Sequence, residues 1–203
     1  MKRQISNTWN NFLLATIGLV CFSSPALAGT ITGHVESKGV KTNQWVVVYI
    51  DAIKGKDFPA PQEHVMCDQK GKEFVPHVLP ILKGTTVDFL NSDAFAHNVF
   101  SPDEVADKFN LGSWGQGEKK PYTFNKLGEA VLLCNLHPEM EGWIVVLPTP
   151  YFAVTDKNGD YTIKDVPGGT YTLKTWHEKL ASSQSAVTVT ANDVAKADFT
   201  LKK

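Results

Sequence analysis

No stretch of this chain carries apolar residues at a sustained 3.6-residue period. Short runs rich in Val, Ile, Thr and Phe recur instead, each closed off by Gly, Pro, Asn or Asp. β-Branched and aromatic side chains suit a pleated, half-buried surface and the punctuating residues supply turns, so the chain reads as all-β. Strands are expected at Ile31–Val35, Trp45–Asp51, Val65–Asp68, His77–Ile81, Thr85–Asn91, Asn98–Phe100 and Pro121–Phe124. Further on, they are expected at Gly128–Cys134, Gly142–Leu147, Tyr151–Thr155, Asp160–Ile163, Thr170–Trp176, Ala186–Thr190 and Ala197–Leu201. One helical turn is predicted over Ser101–Asp107, with Ser101 as cap and Glu104 completing a capping box. There is no internal repeat and no low-complexity segment.

Residues 1–28 read as a secretory signal peptide. Lys2 and Arg3 give a positive start, Phe12 to Phe22 is an apolar run too short to span a bilayer, and Ala26-Leu27-Ala28 fits a small-residue cleavage site. A lipoprotein signal would need a small residue before Cys21, where Val20 stands. The expectation is export to the periplasm with cleavage after Ala28, leaving about 175 residues, enough for one large or two small domains. Losing two basic residues and no acidic ones takes the formal charge from −1 to −3. That mild acidity favours neither nucleic acid nor an anionic membrane as partner.

The chemistry is concentrated in Cys134-Asn135-Leu136-His137-Pro138-Glu139-Met140, with His97 upstream in Ala96-His97-Asn98-Val99. One thiolate, two imidazoles and a thioether form the ligand set of a mononuclear electron-transfer copper site. The imidazoles and thiolate make a near-trigonal plane, and the thioether lies farther off on the axis. Thiolate and thioether suit Cu(I) and imidazole suits both redox states, so one cage serves Cu(I) and Cu(II). After cleavage only Cys67 and Cys134 remain, and in an oxidising compartment the plain alternative is a disulfide between them. That bond would consume the thiolate, so the two readings exclude each other; the neighbouring His137, Met140 and His97 favour the metal.

Residues 64–147 resemble a cupredoxin, the small blue-copper Greek-key β-sandwich. The stretch Val87-Asp88-Phe89-Leu90-Asn91-Ser92-Asp93-Ala94-Phe95-Ala96-His97-Asn98-Val99 is similar to the plastocyanin segment carrying the first copper histidine. Lys72-Glu73-Phe74-Val75-Pro76 resembles a loop of that family, and Gly128-Glu129-Ala130-Val131 resembles the strand delivering its cysteine. The Cys-x-x-His-x-x-Met spacing is that of amicyanin and pseudoazurin; exported proteins with this likeness are often labelled methylamine utilization proteins, although loop length does not identify a redox donor. The resemblance implies one copper ion held by His97, Cys134, His137 and Met140. It also implies that Asn98 ties the two ligand segments together by hydrogen bonds.

Residues 149–203 differ. Thr155-Asp156-Lys157-Asn158-Gly159-Asp160-Tyr161 places Asn-Gly between two strand patterns, a hairpin signal, and Asp165-Val166-Pro167-Gly168-Gly169-Thr170-Tyr171 is a second turn entering a strand. The pattern resembles the carboxypeptidase regulatory-like β-sandwich. That family's opening Gly-x-Val strand stands near the mature N-terminus, as Gly33-His34-Val35, followed by Trp45-Val46-Val47-Val48-Tyr49-Ile50. This predicts that residues 29–61 supply the first strands of the second, smaller sandwich, that 62–148 form the copper-binding domain inserted into it, and that 149–203 complete it. Alternatively, residues 30–60 simply add strands to the cupredoxin.

Asp156, Asn158 and Asp160 are better read as a turn than as a calcium loop, because the position that an EF-hand fills with glutamate holds Pro167. His77 is expected in surface or interface packing and His177, in Trp176-His177-Glu178, at an interface; His34 and His64 carry no signal. An oxidase is disfavoured because Leu133 and Asn135 flank Cys134 where such enzymes place histidines, and no nucleophile–base pair is evident. The chain therefore reads as a non-enzymatic carrier of single electrons. Its partners would be proteins, a dehydrogenase or a cytochrome, docking near His137 on an apolar ring of Phe95, Ala96, Leu136 and Pro138. A copper delivery or buffering protein is the alternative, and a metal-free scaffold a third. Delivery favours exposed thioether-rich loops, whereas the mature part has only Met66 and Met140.

Overall fold

Period-two alternation builds this protein. In the run around Val47, Val46, Val48 and Ile50 face one side, and Val47 and Tyr49 face the other. In Glu141–Leu147, Ile144 and Val146 face one core while Val145 and Leu147 face a second. Strands apolar on both faces must be covered on both, and here each is sandwiched between two layers. The computed structural model describes residues 28–203, and among these the architecture is all-β: one Greek-key sandwich beside a second, smaller one. The expected leader falls on residues 1–27, outside the described residues, apart from Ala28, which opens the first strand.

The first sandwich uses only strands between Val65 and Leu147. One sheet runs Val78–Leu82, Glu141–Leu147, Gly128–Leu133, His97–Phe100, Asn110–Trp114; its partner runs Phe74–Val75, Val65–Gln69, Thr86–Asn91, Lys119–Thr123. Phe74, Phe89, Phe124, Leu132 and Ile144 fill the space between them. In the second sandwich, Ala28–Ser37 lies antiparallel to Asp160–Pro167 and parallel to both Val194–Lys196 and Phe199–Leu201. The facing sheet runs Phe152–Val154, Val47–Ile50, Gly169–Trp176, Gln184–Val189. A small apolar cluster of Val47, Val78, Val145 and Leu147, flanked by Trp45, Trp143 and Trp176, joins the two.

Gly33 has a specific task. A Cβ there would sit 1.8 Å from the Ala197 carbonyl oxygen, which accepts the Tyr161 hydroxyl at 2.6 Å. Only glycine admits that carbonyl between the two parallel pairings, which accounts for the Gly in Gly33-His34-Val35.

Two local expectations are corrected. The Asn-Gly turn is not a hairpin, because Phe152–Val154 and Asp160–Pro167 lie in different sheets. It is a corner, built by the Asp156 carboxylate accepting the N–H groups of Asn158, Gly159 and Asp160 at 2.8–3.0 Å, with Gly159 at φ +97°. The capping box also fails: the helical turn is a 3-10 turn over Glu104–Ala106 that starts after Asp103. The Asp103 carboxylate accepts the Val131 N–H at 2.7 Å instead, tying this turn to the strand that delivers Cys134. The strands Phe74–Val75, Asn110–Trp114 and Val194–Lys196 were not expected from the sequence.

Candidate metal centre

Three neighbouring strands end at one edge of the five-stranded sheet. His97 opens His97–Phe100, Cys134 follows Gly128–Leu133, and Met140 precedes Glu141–Leu147. Leu133 pairs with Phe100 on one side and with Glu141 on the other, so register alone brings the three together. His137 comes from the intervening turn, which the Met140 N–H closes by donating to the His137 carbonyl at 2.9 Å. Cys134 Sγ lies 4.0 Å from His97 Nδ1 and 3.9 Å from His137 Nδ1, and the two nitrogens are 3.1 Å apart. His97, Cys134 and Met140 are buried, while His137 is partly open to solvent.

Two of the donors are held from behind. The Asn98 N–H points at Cys134 Sγ at 3.4 Å, and Asn98 Oδ1 accepts the Asn135 N–H at 3.2 Å. The Asn98 amide nitrogen donates to Asn110 Oδ1 and to the Gly112 carbonyl, both at 2.9 Å. That is the tie between ligand segments that the resemblance implies. A partner not foreseen in the sequence is Asp93, whose Oδ2 accepts His97 Nε2–H at 2.8 Å. Burial would raise the Asp93 carboxyl, but the Lys72 and Gly71 N–H groups and the His97 ring hold it down at about 2. With Nε2 carrying the proton, His97 Nδ1 turns a lone pair toward the sulfur.

Two nitrogen lone pairs and a sulfur facing one point repel one another unless a cation or a proton sits among them. A first-row metal at about 2.0 Å from nitrogen and about 2.3 Å from sulfur, in a near-trigonal plane, would set N···S at about 3.7 Å and N···N at about 3.5 Å. The observed separations match within a few tenths of an ångström, so the residues fit the ion that the sequence implies.

Residues 62–147 match the family model of copper binding proteins of the plastocyanin/azurin family. Residues 62–147 have the cupredoxin fold. Residues 141–202 match the carboxypeptidase regulatory-like domain. Among solved structures, the chain is similar to a purple cupredoxin from Nitrosopumilus maritimus at 25% identity, over 40% of this chain and 98% of that one, with a TM-score of 0.37. It is also similar to a Cu-containing nitrite reductase from Thermus scotoductus SA-01 at 29% identity, over 57% of this chain but only 28% of the reductase, with a TM-score of 0.41. A Cu(I) form of an amicyanin mutant matches at 22% identity over 43% of this chain and 85% of that one, with a TM-score of 0.40. No curated protein matches.

Copper is the metal of the cupredoxin family, and the His97–Cys134–His137 cluster is the one group of its kind among the described residues. Cys67 and Cys134 are both free thiols. Burial, with the Asp68 charge, pushes the Cys67 thiol up to about 12, so it stays protonated near neutrality. At the mouth of the cupredoxin domain, Phe95, Ala96, Leu136 and Pro138 are exposed, and the Phe95 ring lies 5.1 Å from His97 and 5.3 Å from His137. Away from the site, His77 packs edge-on against Trp45, and His177 is buried and accepts the Lys179 N–H at 3.0 Å. Burial lowers the His177 imidazole below its ordinary range, which suits that acceptor role. No helix among the described residues is long and apolar enough to cross a membrane.

Proposed function

We propose that this chain is an exported, periplasmic carrier of single electrons, in which His97, Cys134, His137 and Met140 hold one copper ion. The observation that carries this reading is the convergence of one sulfur and two imidazole nitrogens at 3.1–4.0 Å, on strand ends fixed by sheet register. Copper bound there would supply a one-electron couple. The protein's own part is rigidity. Asn98 fixes the sulfur, Asp93 fixes the His97 ring, and buried Met140 closes the inner wall, so neither redox state has to rearrange the donors. The same burial counts against delivery of the ion itself, which needs ligands that open.

In this reading the partner is a protein that docks on the apolar ring of Phe95, Ala96, Leu136 and Pro138 around the open edge of His137. The ring is small, as suits brief redox encounters. The chain is organised as a signal peptide over 1–28 and a copper-binding domain over 62–148 set between residues 29–61 and 149–203 of the second sandwich. The pairing of Ala28–Ser37 with Asp160–Pro167 supports that division.

The deciding experiment is a visible spectrum of the mature protein with one equivalent of Cu(II). The expected outcome is an intense thiolate-to-copper band that Cys134→Ser abolishes. Met140→Gln should keep the metal and shift the potential. A colourless complex, or a Cys67–Cys134 disulfide in the mass spectrum, refutes the reading.

A further inference from the structure

One largely buried carboxylate crosses between the two sandwiches. Glu178, just beyond Gly169–Trp176 in the second sandwich, has only 11% of its side chain exposed. Its Oε2 accepts the indole N–H of Trp143 at 3.0 Å and lies 3.4 Å from His77 Nε2, both residues of the cupredoxin domain. Its other oxygen takes the Lys179 ammonium at 3.0 Å.

The two residues that it meets are themselves joined at one place. His77 Nδ1 donates to the Glu141 carbonyl at 3.1 Å, and the Trp143 N–H donates to the His77 carbonyl at 2.8 Å. Glu141 directly follows Met140. The opposite side of this segment is fixed by Gly142, where a Cβ would come within 2.7 Å of Phe74 Cβ. The backbone leaving the thioether is thus pinned between Phe74 inside the cupredoxin and a histidine–tryptophan pair oriented from outside it.

We propose that Glu178 is a positioning residue for the metal loop: by orienting Trp143 beside His77 it sets the backbone beside Met140, so that the second sandwich tunes the copper centre. The inference rests on the electron-carrier reading for its second half only. A bland account gives Glu178 a purely structural role in joining two domains. That account predicts a loss of stability with no change at the metal, whereas the positional role predicts a spectroscopic signature. With copper held there, a small displacement of the Met140 thioether would retune the site.

The test uses the full mature chain with Glu178→Ala, Glu178→Gln and Trp143→Phe. Phe keeps the ring but drops the indole donor, and it stands in if the alanine variant does not fold. In the metal-free protein, hydrogen exchange at the amides of residues 140–143 is read first. Loss of a buried, charge-assisted bond should speed it about tenfold in Glu178→Ala and less in Glu178→Gln, which retains an acceptor for Trp143. In the copper-loaded protein, Glu178→Ala should then shift the reduction potential and the relative intensities of the visible bands, with Gln restoring most of both. Unchanged exchange overturns the proposal whether or not copper binds. Faster exchange with an unchanged potential and spectrum also overturns it, leaving only the domain-joining role. A parent protein that takes up no copper refutes the carrier reading, and the exchange result alone then decides the clamp.

Discussion

The Asp93 carboxylate accepts the Nε2–H of His97 at 2.8 Å while two backbone N–H groups, from Gly71 and Lys72, fix the same carboxylate at 2.7 and 3.0 Å. A loop outside the ligand segments therefore decides which way the His97 ring faces. Asp93→Ala should lower copper affinity about 10- to 100-fold, the usual cost of removing such a support. Asp93→Asn, which keeps an oxygen acceptor, should lose less. A competition titration with a chelator of known affinity measures both, and equal affinities for all three proteins would show that the ring is held by packing alone.

Cys67 and Asp88 set opposite limbs of the stability profile. The Cys67 thiol is raised from its ordinary value near 9 to about 12. Its contribution is present below pH 9 and is lost as pH climbs from there toward 12, because the unfolded chain releases that proton first. Asp88 is depressed, chiefly by its bond to Lys119 and also by His64, against the effect of burial. Its contribution is present above the ordinary carboxylate range and is lost as pH falls through that range. Denaturant midpoints across pH should fall on both sides. Cys67→Ala should flatten the alkaline fall, and Cys67 in the folded protein should resist alkylation at neutral pH.

Leu136 is half exposed, and it stands one residue before His137. Leu136→Asp places a charge in the apolar ring without touching a donor atom. It should slow electron exchange with a protein partner severalfold or more while leaving the visible band nearly unchanged. Stopped-flow rates that match those of the parent would move the entry point elsewhere.

Gly33→Ala should be among the most damaging single substitutions, because the added carbon meets backbone rather than a movable side chain. The expected loss is about 3 kcal/mol or more, read from denaturant unfolding. In the same way, a fragment of residues 149–203 should not fold, since Asp160–Pro167 and Gly169–Trp176 would lack Ala28–Ser37 and Val47–Ile50. A fragment of 62–148 keeps both of its sheets and should fold and bind copper. A stable, soluble 149–203 fragment from limited proteolysis would refute the inserted arrangement.

The cluster of donors could be read from the sequence because its spacing is local. Cys134, His137 and Met140 sit on one turn, and the strand around Val99 is too short to leave His97 many places to go. Val-rich strands were equally legible. What escaped depends on contacts that no window of sequence contains. Asn110–Trp114 lacks β-branched residues and becomes a strand because His97–Phe100 offers it an edge. Asp93 looks like an ordinary loop acid until Gly71 and Lys72 come round to it. The Asn-Gly turn has the composition of a hairpin, and only the division of its flanking strands between two sheets makes it a corner. Ser101 has a capping-box spacing, yet Asp103 spends its carboxylate on Val131 from a distant strand.

Among the described residues, Ala28–Ser37 finds its sheet partners only in Asp160–Pro167, Val194–Lys196 and Phe199–Leu201. Every strand of the cupredoxin sandwich, by contrast, has its partners between Val65 and Leu147. A chain emerging from its N-terminus therefore holds this ten-residue strand unpaired throughout the time in which the metal-binding half acquires all of its own neighbours. Contacts of such long sequence separation close slowly. Val194–Lys196 and Phe199–Leu201 complete the sheet around that strand, whose edges stay open until they arrive. For such a protein, a nascent chain halted before Asp160 is more than a missing tail: it presents a complete first sandwich beside a strand still seeking a neighbour.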